Sequence, residues 1–155
     1  MSRITDKRYK IILAGQGPDL DKHINTIKNN TNFIVINKFV TEKELNYLFT
    51  NSSIVALPYI EATQSGVIPI SLAFKKAVIT FDVGSLSEYI LDGETGIIVD
   101  PNDYKSFAEN IKRMMNSSDD LALIESNIEK YVANENNWDL SSHSLIQFFR
   151  SLDEQ

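Results

Sequence analysis

The stretch Leu57 to Gly66, LPYIEATQSG, gathers residue types that could hold an anion beside a sugar. A short apolar run, Ile54 to Leu57, reads as a buried strand closed by Pro58, and Ser65-Gly66 leads on into a helix. The first turn of a helix offers backbone N–H groups without intrahelical partners and about half a positive charge. That environment suits a diphosphate. Thr63, Gln64 and Ser65 add donors, Val67 follows them into the helix, and Gly66, having no Cβ, lets a ligand come close to the backbone. The same residues equally fit an ordinary strand-to-helix connection capped by Thr63 or Ser65. Glu61 has the wrong sign for phosphate. It can accept hydrogen bonds from sugar hydroxyls, or be a solvated loop glutamate.

Other strand ends carry weaker signals. Gly15-Gln16-Gly17-Pro18 places two glycines after an apolar run, as any tight turn does, and lacks the full dinucleotide fingerprint. Asp82-Val83-Gly84-Ser85 is a second strand-end turn whose following helix points at the same crevice. In Ser85-Leu86-Ser87-Glu88 the spacing predicts a capping box, which makes Glu88 a partner of Ser85 rather than a catalyst. Asp92 to Gly96 reads as turn chemistry. The two histidines, His23 and His143, sit on expected helices as structural or solvated residues. No Ser-His-Asp arrangement, phosphate-binding Walker loop or paired carboxylate motif is present.

The elements that must position these residues alternate. Strands are expected at Tyr9 to Ala14, Phe33 to Ile36, Ile54 to Leu57, Ala77 to Phe81 and Gly96 to Val99. Helices are expected at Asp19 to Asn29 and from the capping box at Thr41 to Glu44, with Leu45, Leu48 and Phe49 as the buried stripe. Further helices are expected at Ser65 to Phe74, Ser85 to Leu91, Tyr104 to Met115, Asp119 to about Ala133 and Leu140 to Leu152. Strands apolar throughout and alternating with helices imply an α/β fold: one doubly wound, Rossmann-like parallel sheet covered on both faces, with C-terminal helices. Ligands of such sheets sit at the carboxyl ends of the strands, where the candidate residues fall.

The totals agree with one domain over residues 1–155. Hydrophobic residues make up 43% and charged residues 23%, which excludes a disordered chain. There is no cysteine, so disulfides and thiolate metal sites are excluded. The net charge of −6 gives no support to nucleic-acid binding, and the basic cluster Arg3, Lys7, Arg8 and Lys10 reads as a solvated leader. No signal peptide and no apolar run of membrane-spanning length are visible, so the chain is expected to be cytoplasmic.

From YKIILAGQGPD at 9–19, through FVTEKELNYLFTNSSIVALPY at 39–59, to DVGSLSEYILDGETGIIVDPND at 82–103, the sequence resembles the donor-binding domain of retaining glycosyltransferases. The resemblance is to the GT-B type, in the large group 1 (family four) class. It implies transfer of a sugar from a nucleoside diphosphate to an acceptor, with no metal. Thr63, Gln64, Ser65, Gly66 and Val67 would hold the donor diphosphate. Glu61 would match the first glutamate of the family's paired motif and contact the donor sugar. The backbone near Phe39 and Val40 would face the nucleobase, and Gly15 and Gly17 would line the crevice. The second glutamate, eight residues on, is Pro69 here, so ribose would be held differently. The family's domain opens with a further strand and helix bearing a Gly-Arg and a lysine, and this chain is expected to start at the next strand. It is also expected to lack the acceptor-binding N-terminal domain, and so to be incomplete as a transferase; the alternative is a non-catalytic nucleotide-binding or interaction module that docks onto another chain. It would self-associate, take an added strand or dock onto a separate acceptor domain through Trp138, Leu145, Phe148 and Phe149.

Overall fold

The computed structural model describes residues 9–17, 20, 26–27 and 29–135. Five parallel strands are described: β1 (Ile11–Gly15), β2 (Phe33–Asn37), β3 (Ile54–Leu57), β4 (Ala77–Phe81) and β5 (Gly96–Val99). Four helices accompany them: α1 (Glu42–Asn51), α2 (Val67–Ala73), α3 (Tyr104–Asn116) and α4 (Ser118–Glu135). Leu20, Thr26 and Ile27 are helical, and the remainder of the helix expected at 19–29, with His23, lies outside the described residues. So do Arg3, Lys7, Arg8, His143 and the expected helix at 140–152 with its apolar residues.

The architecture is α/β and Rossmann-like, parallel sheets flanked by helices. One feature departs from the single sheet expected. Hydrogen bonding divides the strands into a β1-β2 pair and a β3-β4-β5 group. The apolar runs identify each strand but cannot specify which neighbours it finds.

Strand β4 is the centre of the core. It pairs with β3 and β5, and all five of its residues are buried. Successive side chains of a strand point to opposite faces, so both faces are covered. Phe81 meets Phe107 of α3 at 4.8 Å between ring centroids and Tyr104 edge-on at 5.4 Å. Ile68 and Leu72 of α2 and Ile124 and Ile128 of α4 complete the cluster. Thr80 is fully buried, and its hydroxyl lies 3.2 Å from the Leu57 carbonyl, tying the carboxyl ends of β4 and β3 together.

Helix α1 starts as its sequence requires. The Thr41 side chain accepts from the Glu44 amide, and the Glu44 carboxylate accepts from the Thr41 amide at 3.1 Å. Glu44 also pairs with Lys38. The second expected capping box does not form. Ser87–Tyr89 is a single 3-10 turn whose preceding residue, Leu86, makes no side-chain cap. Leu86 and Ile90 on either side of the turn are both buried, and Ile90 is already extended, so the chain leaves the turn at once. Glu88 instead donates its amide to the Ser85 carbonyl at 3.3 Å. Helix α2 begins at Val67 rather than Ser65, with Gly66 at its N-cap and the Ser65 hydroxyl accepting from the Val67 amide at 3.2 Å.

The hydrogen bond from the Lys38 ammonium, and then those from the Thr41 amide and hydroxyl, lower the Glu44 pKa from 4.5 to about 2. A carboxylate with a depressed folded pKa stabilises the fold above its unfolded pKa and loses that contribution as pH falls through the folded value. Urea unfolding of the wild type and Glu44→Ala should therefore differ at pH 7, with the difference shrinking below pH 4.5 and vanishing near pH 2. Thr41→Ala should cost about 1 kcal/mol at pH 7, the usual cost of a lost N-cap.

Candidate functional site

The register of the strands decides where the loops emerge. Leu57 of β3 stands beside Thr80 of β4, and Phe81 of β4 beside Val99 of β5. The loops after Leu57 and Phe81 therefore leave the sheet together, at its carboxyl end. They then bind one another, the Ser85 amide donating to the Thr63 carbonyl at 3.2 Å. Below them, the Asp82 amide donates to the Val99 carbonyl at 2.9 Å.

Gly84 is the tightest point. Its φ is +57°, in the left-handed region that side chains other than glycine seldom adopt. A Cβ there would stand 1.7 Å from the Ala62 carbonyl oxygen and 3.2 Å from the Thr63 Cα. Only a glycine lets the two loops approach so closely. Between them opens a cleft of about 490 Å3 lined by Ile60, Glu61, Ala62, Thr63, Val83 and Gly84. Glu61 and Thr63 are exposed to it, with no described side-chain partner that would compete for a ligand's hydroxyls.

The remaining candidates are placed as follows. Gln64, Ser65, Gly66 and Val67 continue the chain from Thr63 into α2 but do not line this cleft. The expected cap falls on neither Thr63 nor Ser65, since Gly66 is the N-cap of α2 and makes no side-chain cap bond. The Ser65 hydroxyl accepts from the Val67 amide and keeps its own proton to donate. A Cβ at Gly66 would meet nothing within 4 Å, so the space above its backbone is open. Pro69 occupies the first turn of α2, where the missing N–H costs nothing. Gly15 lies opposite Asn37 at the end of the β1-β2 pair, so Gly17 and the Phe39-Val40 segment emerge at one end of that pair. Phe39 is 79% exposed, and neither glycine would find an atom within 4 Å of an added Cβ. None of these four residues lines the cleft at Glu61.

Sequence reasoning passed over Val83 and Gly84 as cleft residues. A glycine after a strand reads as a turn, and the contact that demands it lies more than twenty residues away, in Ala62. Asp92 to Gly96 forms a turn, as expected, with the Asp92 carboxylate accepting from the Ile98 amide at 2.8 Å. Among the described residues, no three histidine, aspartate or glutamate side chains gather as a metal site would require. No helix among them is long and apolar enough to cross a membrane.

The family profile described as "Glycosyl transferases group 1" matches residues 1–117. The chain belongs to the group 1 glycosyl transferases. Solved structures of the same fold include a glycosyltransferase from Rickettsia africae, at 20% identity over 92% of this chain and a TM-score of 0.74. They also include the sucrose-phosphate synthase of Thermosynechococcus elongatus, at 18% identity over 94% and a TM-score of 0.73. HepE of Anabaena, solved with UDP, has 17% identity over 94% and a TM-score of 0.69. A second structure of HepE contains UDP-glucose. The group 1 chain spans 40%, 39% and 42% of the lengths of these three proteins. No curated protein sequence matches it.

The close approach at Gly84 should be visible in stability. Gly84→Ala should destabilise the chain by about 1–3 kcal/mol, the range for a strained backbone position. Gly66→Ala, with ordinary helical φ and open space, should change it by less than about 0.5 kcal/mol. Urea midpoints of the two variants test this, and equal small effects would mean that the loops are free to separate.

Proposed function

We propose that residues 1–155 are the nucleotide-sugar-binding domain of a family-four, retaining GT-B glycosyltransferase. The observation that supports this most directly is the cleft at the carboxyl ends of β3 and β4. There the Glu61 carboxylate and Thr63 stand beside the backbone of Gly84, in a chain of the group 1 family. This is the place where doubly wound sheets bind ligands.

In this reading the donor diphosphate lies over Gly66, whose open backbone face admits a phosphate. Donors would come from the amides of the first turn of α2 and from the side chains of Thr63, Gln64 and Ser65. The Val67 amide is already engaged by Ser65, so the Ser65 hydroxyl takes over as the donor toward phosphate. Glu61 accepts hydrogen bonds from the donor sugar. The nucleobase lies toward Phe39 and Val40, with Gly15 and Gly17 beside it. As the bond from sugar to diphosphate breaks, charge grows on the leaving phosphate. Preoriented amides and hydroxyls stabilise it without reorganising, an effect worth about 2.7–4 kcal/mol per donor in the best-studied case. Charge neutralisation is assigned to these groups rather than to a metal ion.

The chemical step also needs an acceptor at near-attack distance, which is worth about 7–11 kcal/mol of barrier. We assign that to a second domain, of which residues 1–155 supply no part. Envelope or capsular polysaccharide synthesis is the setting that fits such an enzyme, and the cytoplasmic side of the membrane is where its donor would be met.

Calorimetric titration with UDP, GDP, ADP and the corresponding nucleotide sugars tests the donor site. Gly66→Val should abolish nucleotide binding by blocking the approach to the backbone. Glu61→Ala should spare the nucleoside diphosphate and weaken the nucleotide sugar by about 1–3 kcal/mol. Equal loss for both ligands would remove Glu61 from the sugar site. A transferase assay on the 155-residue chain with UDP- and GDP-sugars should give no turnover, and robust turnover would overturn the assignment of the acceptor to another domain.

A further inference from the structure

Four polar side chains are buried among the described residues: Asn32, Ser71, Thr80 and Thr95. A buried hydroxyl or amide costs free energy unless it is bonded, so each should hold something. Ser71 bonds the Val67 carbonyl one turn back in its own helix, and Thr95 bonds Leu91 within its own turn. Asn32 donates to the Tyr9 carbonyl just before β1. None of these bonds reaches the strand ends from which the cleft loops leave. Those of Thr80 do.

Strand β4 reads Ala-Val-Ile-Thr-Phe, and Thr80 is its one polar residue, fully buried. Valine would fill the same space with no hydroxyl to satisfy. The Thr80 hydroxyl stands 3.2 Å from the Leu57 carbonyl and 3.2 Å from the Phe81 carbonyl. Those are the last residues of β3 and β4. Pro58 carries no N–H with which to extend the backbone ladder, and the Thr80 side chain supplies a link at its last rung. The Phe81 carbonyl also accepts from the Val83 amide at 3.0 Å, which opens the turn to Gly84. From there the Ser85 amide closes back on the Thr63 carbonyl. The two loops are thus joined twice, by Thr80 at the root and by Ser85 at the tip.

We propose that Thr80 is a positioning residue of the donor site: its hydroxyl sets the spacing of the two cleft loops and so holds Glu61 and Thr63 beside Gly84 as a donor sugar must meet them. Thr80 is fully buried and touches no ligand, so it acts through the loops. Its effect on the loops rests on the sheet geometry, and its effect on binding rests also on the donor site proposed above. Without that hydroxyl the Leu57 carbonyl loses its side-chain link to β4, and the segment from Pro58 to Thr63 is tied to the neighbouring loop at its far end only.

Two substitutions separate the hydroxyl from the packing. Thr80→Val keeps the shape and removes the hydroxyl, whereas Thr80→Ser keeps the hydroxyl and removes a methyl group. A packing role makes serine the more damaging change, as large-to-small substitutions in a core are. The positioning role gives the opposite order in two readouts taken on folded protein. In the ligand-free chain, hydrogen exchange of the Ser85 amide relative to that of Ile79 should speed up about tenfold in Thr80→Val and stay near wild type in Thr80→Ser. Calorimetric affinity for UDP-glucose should fall about tenfold in Thr80→Val and less than about threefold in Thr80→Ser. Wild-type behaviour of Thr80→Val in either readout would overturn the proposal, as would equal losses in the two variants. If the wild type itself binds no UDP-glucose, the donor site fails, and the Ser85 exchange still decides whether Thr80 holds the loops.

Discussion

Strand β4 has a parallel neighbour on each side and helices over each face, and none of its five residues reaches solvent. Everything at the carboxyl end of the sheet depends on that confinement. Leu57 and Phe81 are held at fixed heights by the ladders around β4, and the buried Thr80 hydroxyl bridges β4 to the Leu57 carbonyl. The two loops that leave these strands therefore start from fixed points. Their bond from Ser85 to Thr63 and the close passage of Gly84 over Ala62 then determine the cleft.

A cleft made this way has a backbone tied by hydrogen bonds. Its lining is apolar at Ile60, Ala62, Val83 and Gly84, and Glu61 and Thr63 supply the polar side chains. Glu61 and Thr63 are free to meet a ligand because their loop is held by its backbone rather than by their side chains. Preorganisation of this kind lowers the entropic cost of binding. In the proposed function it would also suit stabilisation of the charge that grows on a leaving diphosphate, since preoriented donors need not move. The β1-β2 pair is built differently. It precedes the segment assigned to the nucleobase, yet its strands are more exposed than β4, and among the described residues its links to the rest include the Phe49 to Phe74 stacking and the Tyr9 to Asn116 contact.

Much of this was legible in the residues. The five apolar runs bounded by Gly, Pro or polar clusters lie within two residues of the observed strands, because burial on both faces demands continuous apolar side chains. Thr41 and Glu44 announced their helix, since a capping box is a local interaction that sequence spacing specifies. Ser85 and Glu88 have the same spacing and do not form one, because the segment makes only a single 3-10 turn and Ile90 is already extended, which four residues of sequence do not specify. The division of the sheet could not be read. An apolar strand such as Ile11–Gly15 has the same composition whether or not both its edges are paired. The need for glycine at 84 was hidden for a related reason, since it arises from a contact with Ala62 that only the fold creates.

The central claim is that the loops after β3 and β4 form a nucleotide-sugar site. The most direct test maps amide chemical shifts of the isotopically labelled chain during titration with UDP-glucose. The account predicts that the perturbed amides concentrate at Thr63 to Val67 and Val83 to Ser85, with a second group near Phe39 and Val40. It also predicts that UDP alone leaves the Glu61 amide less affected than UDP-glucose does. Saturable shifts confined to other surfaces, with 63–67 and 83–85 unmoved, would contradict it.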